Sequence, residues 1–339
     1  MENNLEESLS HLAFSLCDIP SLTFDEGAVL DFIVQWSRKH NFHCEKISLD
    51  TKRFNLLIAV KKRPLYRTLL CTHVDTVPPF IAPSIEDGLL KGRGACDAKG
   101  IAACMLLVLK KMQNEGVDDV AVLLTVGEEE ASDGAKKCNA LLKGRARTVI
   151  VGEPTSLKAA RAQKGSLVFD IVVQGKEAHS SLPAHGFSAS HDMIHVLESM
   201  LKERWPKNDR FGETLLNIGM LKAGRARNTF AAEARAQCIM RLSESAEQIL
   251  ISLQSHLNSN TRLEIFSRSD PFDYKIPDGV PTFIAGFGSD APYLRDVGSE
   301  IMLIGPGSLE VAHQENEFML INDIVSAYFM YLKMIRLEL

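Results

Sequence analysis

Long apolar runs are missing from this chain. The longest, Ile101–Leu109, falls far short of the roughly 20 residues that a membrane helix needs. A basic excess is missing as well: 38 Lys and Arg stand against 43 Asp and Glu, a formal net charge of −5 with His neutral. Nucleic-acid binders, whose footprint is basic, are therefore not expected. The seven cysteines (Cys17, Cys44, Cys71, Cys96, Cys104, Cys138 and Cys238) are odd in number and form no CxxC pair. That argues against a cysteine-type structural zinc site and favours reduced thiols in a cytoplasmic protein. The opening stretch MENNLEESLSHL is acidic and polar, without the basic and apolar segments of a secretory signal. Neither GxxxxGK[ST] nor GxGxxG occurs, which disfavours a phosphate-cradling loop. What remains is ordinary globular material, 45% hydrophobic and 24% charged over 339 residues, enough for two domains.

The first third alternates helix and strand signals. Val29, Leu30, Ile33 and Trp36 repeat at helical spacing within 26–39, and 100–112 reads as a helix behind a glycine-rich turn. Residues 54–60, 68–73, 120–126 and 148–152 read as strands, the last two as continuous apolar runs. Such alternation predicts an α/β domain with a mixed, mostly parallel sheet flanked by helices. In the middle, strands over 166–174 and 232–241 enclose a helix over 188–202. A further strand over 263–266 precedes the prolines Pro271, Pro277 and Pro281. The expected organisation is a main domain of 1–162 and 267–339, closed by a strand at 301–304 and a helix at 321–335, with an α+β insert at 163–266.

Several short segments set acids or a histidine just beyond apolar strands, where ligands bind in α/β sheets. His73 and Asp75 are two apart in a strand and share a face; a surface His beside a solvated Asp explains that pair equally well. Asp97 lies in Lys91-Gly-Arg-Gly-Ala-Cys-Asp-Ala-Lys-Gly100, a tight loop entering a helix, which a plain turn also satisfies. Glu128, Glu129 and Glu130 directly follow a strand; adjacent carboxylates repel unless a cation or solvent intervenes. Glu153 closes another strand before Pro154, and His313 sits in a late polar loop behind Gly305-Pro306-Gly307. Each motif alone is weak. Together, two histidines and at least three carboxylates on separate strand ends are the parts of a two-metal hydrolytic centre, with a spare Glu as general base.

The ordered set THVDTVP at 72–78, GRGACDAKG at 92–100, TVGEEE at 125–130, GEPT at 152–155, GKEAHSSLPAHGFSA at 175–189, GSDA at 288–291 and AHQENE at 312–317 resembles the di-zinc aminoacylase and carboxypeptidase-type metallopeptidases. That family includes acetylornithine deacetylase and succinyl-diaminopimelate desuccinylase. The resemblance implies that His73 and Glu153 bind one zinc, that Glu129 and His313 bind the other, and that Asp97 bridges them. Cobalt or manganese could substitute. Asp75 would orient His73, and Glu128 would take a proton from the attacking water and return it to the leaving amine. A one-residue slip to Glu129 and Glu130 is the alternative; Gly134-Ala135 favours the first register. The Asp97–Ala98 peptide would be cis.

The insert resembles the family's ferredoxin-like lid, which also makes a homodimer. His179 would complete the partner subunit's active site and help hold the developing oxyanion. Asn228 and Arg241 would meet the substrate, Arg241 its carboxylate, although Ala231 stands where the family usually has Pro. Ser289 and Gly307 would line the pocket. The implied function is removal of an N-acyl group from an amino acid, as in acetylornithine deacetylation within arginine biosynthesis. A desuccinylase or a small-peptide exopeptidase is the alternative within the family. A non-catalytic binding relative would have lost a ligand or the base, and all are present.

Overall fold

The computed structural model describes residues 2–337. The chain forms two compact units. One runs to Arg161, takes in Tyr274–Phe283 and resumes at Ser289; the other is Ala162–Asp273 with Ile284–Gly288. The expected return at 267 falls inside a strand, because Thr261–Ser269 pairs with Gly165–Gln174 along almost its whole length.

The principal strands are, in chain order, β1 (His43–Ser48), β2 (Phe54–Ala59), β3 (Tyr66–His73), β4 (Val120–Thr125), β5 (Ala146–Val151), β6 (Gly165–Gln174), β7 (Leu215–Ala223), β8 (Glu233–Leu242), β9 (Thr261–Ser269) and β10 (Gly298–Leu303). The helices are α1 (Glu2–Cys17), α2 (Gly27–Lys39), α3 (Lys99–Asn114), α4 (Asp133–Leu141), α5 (Ala189–Lys202), α6 (Ala246–Ser255) and α7 (Ile321–Leu337).

In the first unit six strands lie in the order β1-β2-β4-β3-β5-β10. The four strands β4, β3, β5 and β10 run parallel, and β1 and β2 pair antiparallel at one side. All residues of β2 and β4 are buried, as expected for strands covered on both faces. Alternate residues Leu56, Ile58, Leu70, Val122, Leu124 and Ile150 share one hydrophobic cluster with α1, α2, α3 and α7. The run Ile101–Leu109 is the buried body of α3, packed between α1 and α7, so its all-round apolarity reflects enclosure by protein. Among the described residues no helix is long and apolar enough to cross a membrane.

The second unit has the element order β6-α5-β7-β8-α6-β9, with an antiparallel sheet in the order β7-β8-β6-β9. This is the ferredoxin-like pattern. Burial in β8 alternates residue by residue, and its inward residues Ala234, Ala236, Cys238, Met240 and Leu242 pack with Met193, Val196 and Ile249 of α5 and α6. Five of these elements, α1, β1, α4, β7 and α6, were not anticipated. Among its described side chains, helix α1 buries the stripe Leu9, Leu12, Ala13, Leu16 and Cys17 within a polar stretch. Strand β7 is largely exposed and so shows no alternation. Helix α6 is announced chiefly by its cap, Ser245, whose hydroxyl accepts from Gln248 N at 3.4 Å.

Candidate metal centre

Because β3, β4 and β5 are mutually parallel, their carboxyl ends lie at one edge of the sheet, with His73 paired opposite Thr125 and Cys71 opposite Val151. The chain leaves these strands carrying Asp75, Glu128 with Glu129, and Glu153. Topology thus brings together acids far apart in sequence.

His73 (1% exposed) and Asp97 (5%) are in contact, Nε2 to Oδ1 at 2.9 Å. The other His73 nitrogen, Nδ1, lies 3.0 Å from the backbone carbonyl of Asp75 and 3.5 Å from its Oδ1. An Nδ1–H donated there makes Nε2 the nitrogen turned toward Asp97. Asp75 is itself pinned: it accepts from the backbone N–H groups of Glu128 and Glu129, each at 3.2 Å, and from the Thr23 hydroxyl at 3.0 Å. From the opposite side His313 presents Nε2 at 3.3 Å from Asp97 Oδ2 and 3.0 Å from Glu129 Oε2. Glu130 is exposed and takes no part in these contacts.

His73, Asp97 and Glu129 offer ligand atoms within 4.8 Å of one another. Imidazole nitrogen with carboxylate oxygen suits a first-row divalent cation. The electrostatics fit as well. Burial favours the neutral ring of His73, yet the carboxylates of Asp75 and Asp97 overcome this and hold its pKa well above the ordinary value. His313 is pushed up to about 10, by Asp97 first and then Glu129. Burial opposes ionisation of Asp97, but the two histidines outweigh it and hold the carboxyl below the usual range. Protons on two histidines thus balance charge that a cation would balance. Glu128 and Glu153 are raised well above the ordinary carboxylate value. Burial is the main cause for both; Glu153 adds to it for Glu128, and Asp97 adds to it for Glu153, against the lowering pull of His73. Among the described residues Glu153 Oε1 is buried without a hydrogen-bond partner, an unsatisfied acceptor of the kind that a bound ion relieves.

The remaining anticipated residues divide between the units. Ser289 is buried in the first unit, its hydroxyl 3.4 Å from the Tyr274 hydroxyl and from Ala291 N. Gly307, at φ +77°, leaves no room for a side chain, since a Cβ would lie 2.6 Å from Cys96 Sγ. His179, Asn228 and Arg241 belong to the second unit. His179 is exposed, with Nδ1 2.7 Å from the Ser181 hydroxyl, and it forms a bridge with Thr229 beside Asn228. Arg241, on β8, is partly buried, and no carboxylate pairs with its guanidinium among the described residues.

Sequence reasoning passed over Glu317 and Asp290. Glu317 (1% exposed) accepts three backbone N–H groups through Oε1, from Gly94 at 3.0 Å, Cys96 at 2.9 Å and Asp97 at 3.1 Å; its Oε2 pairs with Arg93 Nη1 at 2.6 Å. It therefore clamps the loop that presents Asp97, whose peptide bond to Ala98 is cis. Its place in AHQENE, four residues after His313, was the available signal, but Glu315 fitted that signal equally well. Glu317→Ala leaves Arg93 buried and unpaired and is expected to cost about 3–5 kcal/mol of unfolding free energy, read from urea denaturation. An unchanged midpoint would show that the loop holds itself. Asp290 is 2% exposed, and its pKa is pushed up to about 6 by burial, against the hydroxyls of Thr125 and Ser132.

Residues 69–337 match the family model described as peptidase family M20/M25/M40. A peptidase M20 domain-containing protein of Schizosaccharomyces pombe is 31% identical, over 98% of this chain and 85% of that protein. A probable carboxypeptidase of Uncinocarpus reesii is 30% identical, over 98% of this chain and 87% of its own length. Among solved structures, a Staphylococcus aureus tripeptidase superposes with a TM-score of 0.84 at 22% identity, covering 98% of both chains. The chain belongs to peptidase family M20/M25/M40 and is a hydrolase acting on amide bonds.

Proposed function

We propose that the centre holds two divalent cations, zinc in the first instance with cobalt or manganese able to replace it. His73 and Glu153 would serve one, Glu129 and His313 the other, and Asp97 both. The observation that supports this reading is the convergence of two imidazoles on one buried carboxylate, with Glu129 alongside. Bound there, such ions act as Lewis acids toward the amide carbonyl. The protein's own part is proton handling. Glu128, kept basic by its buried, acidic surroundings, takes a proton as the water oxygen bonds to the carbonyl carbon. It returns that proton to the nitrogen as the C–N bond breaks. Asp75 fixes the ring of His73 throughout.

The substrate proposed is a small amide next to a free carboxylate, which Arg241 would receive. A partly buried guanidinium with no carboxylate partner among the described residues supports that role. Asn228 and His179 would meet the polarised carbonyl, and Ser289 and Gly307 would line the pocket. The relatives named as carboxypeptidase and tripeptidase favour a short peptide with a free C-terminus. The second reading, deacylation of an N-acyl amino acid of the acetylornithine kind, is favoured by the wording GRGACDAKG and GEPT. A panel of N-acetyl and N-succinyl amino acids, dipeptides and tripeptides, assayed with zinc or cobalt, separates the two. A metal-loaded chain that cleaves none of them would overturn both. The seven free thiols suit a cytoplasmic setting.

A homodimer is part of this reading, with His179 completing the partner subunit's site. A dimer mixing His179→Ala with Asp97→Ala subunits would then carry one working site, although each parent homodimer is nearly inactive. Re-annealing the two is expected to restore part of the parent activity. Proven subunit exchange without recovered activity would remove His179 from the neighbouring site.

A further inference from the structure

The two acids proposed as base and ligand sit on one short loop, residues 126–134, which leaves β4 and runs into the first turn of α4. Nothing inside the loop is rigid by composition, yet it is tied at three places. At its crown Asp75 accepts from Glu128 N and Glu129 N. At its neck stands Asn55, fully buried, whose Oδ1 accepts from Val126 N at 3.1 Å and whose Nδ2 donates to Gly134 O at 3.0 Å. One side-chain amide thus spans both ends of the loop, beside the direct bond from Gly134 N to Val126 O at 3.2 Å.

Two residues earlier, Arg53 holds the loop's base. Its guanidinium grips Asp133 with Nη1 at 2.6 Å and Nη2 at 3.0 Å, and reaches the buried Glu26 with Nε at 3.0 Å and Nη2 at 3.2 Å. The loop backbone lies directly on these groups. A Cβ on Gly127 would fall 2.0 Å from Asp133 Oδ1 and 2.6 Å from Arg53 Nη2, and one on Gly134 would fall 2.5 Å from Asn55 Oδ1. Gly127 also has φ +72°, a conformation open chiefly to glycine.

We propose that Arg53 and Asn55 are positioning residues of the reaction: together they fix loop 126–134 at base and neck, and so set the aim of the Glu128 and Glu129 carboxylates. This rests on the roles proposed above for those two acids. Arg53 and Asn55 act only through the loop. An amide and a fork are needed because the groups to be held are a main-chain donor, a main-chain acceptor and two carboxylates.

The test uses the full chain with Asn55→Ala, Asn55→Asp, Arg53→Met and Arg53→Lys, beside Leu332→Ala as a core control in α7. Readouts are kcat and KM well below each melting midpoint, zinc binding by titration, and the visible spectrum of the cobalt-loaded protein, which reports ligand geometry. Asn55→Ala and Arg53→Met are expected to lose about 10–100-fold in kcat or zinc affinity, with altered cobalt bands. Arg53→Lys keeps the charge without the fork and should recover part of the loss, and the control should change the midpoint alone. Where Asn55→Ala or Arg53→Met fails to fold, Asn55→Asp and Arg53→Lys decide the matter by the same three readouts. Folded variants with parental kcat, zinc affinity and cobalt spectrum overturn the proposal while leaving the metal reading intact. A parent chain that binds neither zinc nor cobalt overturns both.

Discussion

Glu128→Gln is expected to lower kcat by at least the ~10²–10⁴-fold attributed to general acid–base catalysis, with metal content unchanged. Gln is close to isosteric, so the loop keeps its bonds to Asp75, which run through the backbone N–H groups of Glu128 and Glu129. What disappears is a carboxylate that can accept and return a proton. The companion variant Glu130→Gln should behave like the parent, because Glu130 is exposed and outside the cluster. Kinetics and metal analysis on the two proteins decide the register. Loss of a full metal equivalent from Glu128→Gln, with an inactive but metal-replete Glu130→Gln, would place base and ligand one residue later.

Asp97→Ala should abolish turnover by a different route. Among the described residues, Asp97 is the group that both His73 and His313 touch, at 2.9 Å and 3.3 Å. Its removal takes away a shared anionic donor and leaves two cations facing each other with less charge between them. Metal analysis of the purified variant is expected to show less than the parental content. Retention of two tightly bound equivalents would end the bridging role. Glu317 would still hold the Gly94, Cys96 and Asp97 N–H groups, so the loss should not be ascribable to collapse of the loop.

The parts of the molecule legible in its sequence are those whose physics is local. Strand β4 and the 148–151 stretch of β5 read as strands because both faces are buried there and the run is therefore almost wholly apolar. Helix α3 read as a helix behind its glycine-rich turn. The acids at strand ends stood out because a carboxylate just past such a run is unusual. The residues that hold those acids in place did not stand out. Asn55 bonds to Val126, 71 residues on, and Glu317 to Asp97, 220 residues back. In both pairs one partner is a main-chain N–H, which leaves no trace in residue type. Arg53 reads as a surface charge until Glu26 and Asp133 are seen on either side of it. Strand β7 was illegible for the opposite reason: it buries little, and only its pairing with β8 makes it a strand.

The order in which the ribosome delivers this chain has a consequence for the sheet. Strand β10 pairs with β5 in register Glu300 to Thr148, and everything from Ala162 to Asp273 belongs to the other unit. That second unit contains its own sheet and helices and is complete in sequence before β10 exists. Domains generally fold as units and in order of synthesis, and pairings across such a distance form slowly. The ferredoxin-like unit is therefore positioned to fold first, while β5 waits with an open edge. His313 and Glu317 emerge later still. Until they arrive, Asp97 lacks one of its two imidazoles and the clamp on its backbone. The centre is therefore completed late, with only α7 (Ile321–Leu337) among the named helices and strands still to follow, and a nascent chain carries its acids for most of synthesis without the means to use them.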